Sequence, residues 1–190
     1  TKSPLAVGLQ ITNLHLMRSL SVVINGLSHQ QQPGDIYCLK GSNGAGKSTL
    51  LRTIANRLPV ADGQISCSVP VVYVGHSDGL SGSISGRENL RGWARINGFA
   101  CPASKIDKAL ASFSTTGFAH IATHRLSRGQ RRRLALTRLG LAPANSLWLL
   151  DEPNAGLDQA TIAMLDAMVI AHADGGGMVL AATHIDFASA

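Results

Sequence analysis

One short segment constrains this chain more than any other. Gly41-Ser42-Asn43-Gly44-Ala45-Gly46-Lys47-Ser48 fits G-x-x-x-x-G-K-[ST] at every fixed position. The apolar run Ile36-Tyr37-Cys38-Leu39-Lys40 precedes it, after the turn signal Gln32-Pro33-Gly34-Asp35, and reads as a buried strand. Leu50, Leu51, Ile54 and Leu58 follow at helical spacing. Strand, Gly-rich loop and helix in that order make a phosphate cradle. The glycines let successive N–H groups turn inward at phosphate oxygens, and the helix adds the positive end of its dipole. The candidate phosphate-binding set is therefore Gly41 to Ser48 with Thr49. Lys47 would reach the β- and γ-phosphates of a nucleotide, and the Ser48 hydroxyl would ligate Mg²⁺. A chance match in a chain of this length has a probability of roughly 1% at average glycine usage.

The rest of the chain alternates in the same way. Val71-Val72-Tyr73-Val74, Leu147-Trp148-Leu149-Leu150 and Met178-Val179-Leu180-Ala181-Ala182 read as further buried strands, and Leu157 to His172 as a helix broken by Gly175-Gly176-Gly177. Such alternation implies an α/β fold with a mainly parallel sheet covered on both faces. Residues from Glu88 to about Leu141 are helical, with breaks near Pro102 and Gly117, and read as an inserted helical subdomain. The expected boundaries are a core at about 1–76 and 143–190 and a subdomain at about 77–142. The chain has 190 residues, 45% of them apolar and 15% charged, which excludes a disordered polymer. A chain of this length is expected to bury roughly 70% of its unfolded surface without staples. Cys38, Cys67 and Cys101 form no C-x-x-C pair, so no zinc site or disulfide framework is indicated. The start, Thr1-Lys2-Ser3-Pro4, reads as a trimmed end.

The strand at 147–150 ends in Asp151 and Glu152. Asp151 at a strand end can hold Mg²⁺ beside the phosphate loop. Glu152 points differently, because side chains alternate along a strand, and can polarise a water for attack on the γ-phosphate.

Three further motifs make the chain resemble the ATP-binding cassette ATPases. Leu126-Ser127-Arg128-Gly129-Gln130 is similar to the family signature L-S-G-G-Q. Ala155-Gly156-Leu157-Asp158 is similar to the D-loop, and His184 after Thr183 to the switch histidine. The resemblance covers roughly residues 20–190, and Glu88-Asn89-Leu90 matches the E-N-L common in transporter members. It implies a P-loop NTPase (RecA-like) core with an inserted helical subdomain. It also implies ATP hydrolysis with Glu152, His184 and Lys47 as catalytic residues. Ser127, Arg128, Gly129 and Gln130 would face ATP held by a partner subunit in a homodimer or pseudo-dimer. Ser127 to Gln130 is also a capping-box pattern opening a helix, and a helix N-terminus suits an anion.

The chain departs from the family pattern in three places. Arg128 replaces a small residue. His76 stands where the family has the Q-loop glutamine, and is either a metal- or water-orienting group or a loop histidine. Residues 1–36 contain no Phe, Tyr or Trp to stack on adenine, which leaves His15 or Arg18 for that place. Gly75-His76, Gln130-Arg131-Arg132-Arg133 and the Gly-rich approach to His184 resemble the haem-exporter branch that serves cytochrome c maturation. That resemblance implies separate integral membrane subunits and a peripheral place on the cytoplasmic side of the inner or plasma membrane, or the matrix side in a mitochondrion. The rival readings are the ATPase of another transporter and a soluble cassette ATPase acting on nucleic acid or ribosomes. The net charge of +6 calls for an anionic partner. Arg125, Arg128, Arg131, Arg132, Arg133 and Arg138 cluster at the signature, so ATP phosphates and anionic lipid are expected rather than nucleic acid.

Overall fold

In the computed structural model, which describes residues 8–19, 21–183 and 187, four apolar runs build one parallel sheet. Two compact units form: Thr1–Gly75 with Ala144–Pro153 and Val169–Ala190, and His76–Pro143 with Asn154–Met168. In chain order the strands and helices are β1 (Leu9–Arg18), β2 (Ser21–Gln31), β3 (Ile36–Leu39), α1 (Lys47–Ile54), β4 (Asp62–Cys67), β5 (Val71–Val74), α2 (Gly86–Ile96), α3 (Ala103–Ser112), α4 (Arg128–Leu136), β6 (Leu147–Asp151), α5 (Gln159–Asp174) and β7 (Met178–Ala182).

The parallel sheet of the first unit has the order β3-β7-β6-β5. Every residue of β6 and β7 is buried. That burial on both faces is why these strands read as unbroken apolar runs. A second sheet, antiparallel and ordered β2-β1-β4, was not legible in the sequence. Its alternation is broken. Leu9 and Ile11 face inward, the register then shifts, and Leu14 and Leu16 resume the inward face. Asn13 takes the left-handed conformation (φ 46°) at that bulge. In β2 only Gln31 is buried, and Asn25-Gly26 sits mid-strand where it would signal a turn.

One core joins these parts. Leu9, Leu14 and Leu16 of β1 pack with Leu50, Leu51 and Ile54 of α1 and with Leu147, Leu149 and Leu180 of the parallel sheet. Each such side chain contributes about 1.5–3 kcal/mol by leaving water. The helix that follows the phosphate loop is thus fixed along its apolar stripe, and its N-terminus has a set position.

The second unit is helical, around Leu90, Ile106, Leu110, Leu126, Leu134 and Leu141. Pro102 precedes α3, and Gly117 lies in a short 3₁₀ turn, Thr116–Phe118. Ser85 opens α2 with a full capping box to Glu88. The neighbouring Asn89 is buried and ties down the preceding loop: its amide donates to the Ser81 and Ser85 carbonyls, both at 3.0 Å, and its oxygen accepts from the Ser81 N–H at 2.8 Å. Glu88-Asn89-Leu90 is therefore a cap, a loop clamp and a core residue in succession.

Candidate functional site

The phosphate loop takes its shape from glycine. Gly41, Gly44 and Gly46 all have positive φ, at 147°, 87° and 90°. Gly46 is required twice over. It caps α1 in the left-handed conformation, and a Cβ there would lie 3.2 Å from the Val23 carbonyl oxygen. The Lys47 ammonium donates to the Gly41 and Ser42 carbonyls at 2.6 and 3.0 Å, spanning the mouth of the loop. A cleft of about 200 Å³ opens there, lined by Asn43 to Thr49 together with Arg18 and Glu152. The cleft brings the predicted phosphate set and the predicted base together. Arg18, at the end of β1, borders it, whereas the His15 ring contacts Asn13 Oδ1.

At the inner end of the cleft Ser48 Oγ donates to Asp151 Oδ1 at 2.7 Å. Tyr73 of β5 donates its hydroxyl proton to Asp151 Oδ2 at 3.2 Å. Arg52, one turn along α1 from Ser48, donates to the Tyr73 oxygen at 3.3 Å. Burial raises the Tyr73 pKa, so the phenol keeps its proton and remains a donor. The hydrogen bond to Tyr73 raises the Arg52 pKa. Sequence reasoning missed Tyr73 and Arg52; the i, i+4 spacing puts Ser48 and Arg52 on one helix face but does not point to Tyr73. A buried carboxylate beside a hydroxyl is an all-oxygen donor pair. It fits Mg²⁺, which takes one or two protein oxygens and completes its shell with water and phosphate. Among the described residues no three His, Cys, Asp or Glu side chains gather as a richer metal cluster.

Glu152 follows directly at φ 49°, with its N–H donating to the Ala182 carbonyl at 2.8 Å. A carboxylate residue in this conformation is strained, and such strain gathers at functional sites. His184 lies outside the described residues.

The second unit holds the other predicted group. Ser127 caps α4, its hydroxyl accepting from the Gln130 N–H at 3.2 Å while the Gln130 side chain accepts from the Ser127 N–H at 2.9 Å. A second cleft of about 250 Å³ is lined by Ser127, Gly129, Gln130 and Arg133 and by Gly156, Leu157 and Asp158. Asp158 caps the start of α5 by accepting from the Thr161 N–H at 2.8 Å, and hydrogen bonds from the Thr161 side chain and then its N–H hold the Asp158 carboxyl below the usual range. Arg128 is exposed in the first turn of α4. His76 is also exposed, and its carbonyl accepts from Arg132 at 3.5 Å.

The basic cluster needs one correction. Arg132 and Arg138 are buried, at 4% and 6% exposure. Arg132 pairs with Asp78 at 3.7 Å, and Arg138 donates to the Gly79 carbonyl at 2.6 Å. Arg131 donates to the Leu126 carbonyl at 2.6 Å. Arg132 and Arg138 brace the helical unit from inside and the half-buried Arg131 is tied to the backbone, so the cluster is less of a free basic surface than its spacing suggests.

Residues 24–155 match the ABC transporter family. The chain is 40% identical over 181 residues to the cytochrome c biogenesis ATP-binding export protein CcmA of Paracoccus denitrificans, covering 92% of this chain and 84% of that protein. It is 42% identical over 179 residues to the protein of the same name from Ruegeria pomeroyi, covering 94% and 85%. An ATP-binding subunit of an ABC transporter superposes with a TM-score of 0.83 at 21% identity, covering 94% of this chain and 80% of that one. The cbiO1 protein of Clostridium perfringens does so at 0.70 and 22%, covering 96% and 80%. With the phosphate loop, the acidic strand end and a match over most of its length, the chain belongs to the ABC transporter family, as one of its ATPases.

Proposed function

We propose that this chain is the ATP-hydrolysing subunit of an ABC-type membrane complex of cytochrome c biogenesis, the haem exporter system. The observation that carries the ATPase part is the Ser48–Asp151 contact of 2.7 Å at the inner end of the cleft lined by Lys47 and Glu152. The names borne by relatives at about 40% identity support the pathway.

The residues divide the work. The backbone N–H groups of Gly44 to Thr49 and the N-terminus of α1 receive the phosphates. Lys47 exchanges its loop carbonyls for β- and γ-phosphate oxygens, which offer its ammonium stronger, charge-assisted bonds. Ser48 and Asp151 would hold Mg²⁺, which when bound would supply charge neutralisation to the phosphoryl oxygens. Glu152 accepts the proton of the attacking water. Arg18 lays its guanidinium on the adenine face, a contact any flat cation can make. The motif resemblance gives His184 the role of switch histidine, and His76 would orient water or metal. Two copies, or a copy and a homologue, join so that Ser127, Arg128, Gly129 and Gln130 of one meet the ATP of the other. The helical stretch of about 77–142 is the subdomain that grips separate membrane subunits. No helix among the described residues is long and apolar enough to cross a membrane, so such subunits supply the crossing. The complex places this chain peripherally on the cytoplasmic or matrix face.

The test is made in cells and on membranes. Lys47→Ala is expected to abolish nucleotide binding and the accumulation of covalently haem-stained c-type cytochromes. Glu152→Gln is expected to co-purify with integral membrane partners. Recovery of that variant in the soluble fraction with RNA, with cytochromes unchanged, would overturn the reading.

A further inference from the structure

Asp151 is held from two elements at once. Parallel pairing of β5 with β6 sets Tyr73 opposite Leu149, two residues before Asp151 and therefore on the same face of the sheet. The facing helix α1 presents Ser48 and Arg52 one turn apart. The side chains then close into a line: Arg52 Nε to Tyr73 oxygen at 3.3 Å, Tyr73 hydroxyl to Asp151 Oδ2 at 3.2 Å, Ser48 Oγ to Asp151 Oδ1 at 2.7 Å. A guanidinium can only donate. The Tyr73 oxygen must therefore accept from Arg52, and its single proton is left to point at Asp151. The charge on Arg52 polarises that O–H and strengthens the bond it makes. Space for the phenol comes from Gly75, where a Cβ would lie 2.8 Å from the Tyr73 hydroxyl oxygen. Arg57 covers the ring at 4.9 Å from its centroid, and that contact does not involve the hydroxyl.

We propose that Tyr73, oriented by Arg52, is a positioning residue that fixes the carboxylate plane of Asp151 for Mg²⁺. The inference rests on the ATPase reading above. Each carboxylate oxygen has two acceptor sites. With Tyr73 on Oδ2, the carboxylate cannot swing away when Ser48 turns its oxygen to the metal. Tyr73→Phe removes one hydroxyl and keeps the ring under Arg57.

The test measures nucleotide affinity with Mg²⁺ and with excess chelator, by calorimetry or a fluorescent ATP analogue. The electron paramagnetic resonance of bound Mn²⁺–nucleotide serves as a second readout that needs no turnover. Tyr73→Phe is expected to leave chelator affinity within about two-fold and to lose roughly ten-fold of the affinity gained from Mg²⁺, the low end for outer partners of metal ligands. Gly75→Ala, which pushes the phenol off its place, is expected to act in the same direction, and Arg57→Ala is expected to leave the Mg²⁺ dependence unchanged. An unchanged Mg²⁺ gain and Mn²⁺ spectrum in Tyr73→Phe would overturn the positioning role. So would an equal loss with and without metal, which marks a merely structural residue. If the wild-type chain bound no nucleotide under either condition, the ATPase reading itself would fall, a result distinct from both.

Discussion

Glu152 pairs strain with a proposed chemical role. A side chain at φ 49° costs of order 1–3 kcal/mol relative to a relaxed position, and glycine escapes most of that cost. Glu152→Gly is therefore expected to melt no lower than wild type while losing hydrolysis. Glu152→Gln, which keeps the shape and loses the base, is expected to bind ATP and to hydrolyse it about 10²–10⁴ times more slowly. Calorimetric melting and single-turnover assays check both, and a stable variant with normal turnover at either substitution would remove Glu152 from the role. At this scale the sequence was legible wherever chemistry fixes spacing along the chain. Lys47, Ser48 and Asp151 are such residues. Tyr73 and Arg52 were illegible because their meeting depends on the register of β5 against β6 and on the rotation of α1, neither of which is written locally.

The elements show the same division. Strands β6 and β7 were legible because burial on both faces leaves an unbroken apolar run, and the half-buried β3 and β5 at the ends of the sheet were legible as short apolar runs beside turn signals. Strands β1 and β2 were not, since the bulge at Asn13 reverses the alternation and Gly26 imitates a hairpin turn. The break at Gly175-Gly176-Gly177 was legible as a stop to α5, but its third glycine has another task. A Cβ on Gly177 would fall 2.2 Å from His172 Nε2. That ring lies on Trp148 at 3.7 Å between centroids and meets the Ser146 carbonyl at 2.8 Å. Gly177→Ala is expected to cost about 1–3 kcal/mol, as overpacking of a rigid site does. Burial lowers the His172 pKa below 6.5, against hydrogen bonds to the backbone of Ser146 and Met178 that raise it. The unfolded chain thus binds that proton more readily than the folded one. The stability His172 supports is whole above about 6.5 and declines as pH falls from there toward the folded value. His29 shifts the same way by burial. Denaturant melts between pH 7.5 and 5.5 are therefore expected to show a shallower decline in His172→Gln, and a slope equal to wild type would count against this account.

At the scale of the molecule, part of the +6 charge is withdrawn from the surface. Two arginines of the signature region are internal braces. Each unit also carries a cleft bordered by basic side chains, one at the phosphate loop and one at the start of α4. If the two clefts of different copies share one ATP, Glu152→Gln is expected to double in mass on adding ATP and to return to its original mass on dilution into nucleotide-free buffer. Light scattering after gel filtration reads that change. The Trp148–His172 stack has an optical consequence. The chain has two tryptophans, and they fall in different units, Trp93 in the helical one and Trp148 in the sheet. Protonated imidazole quenches an indole stacked on it, so emission from a Trp93→Phe chain reports the sheet unit and dims on acidification. A Trp148→Phe chain glows from the helical unit alone. Each half of the molecule thus carries its own built-in lamp.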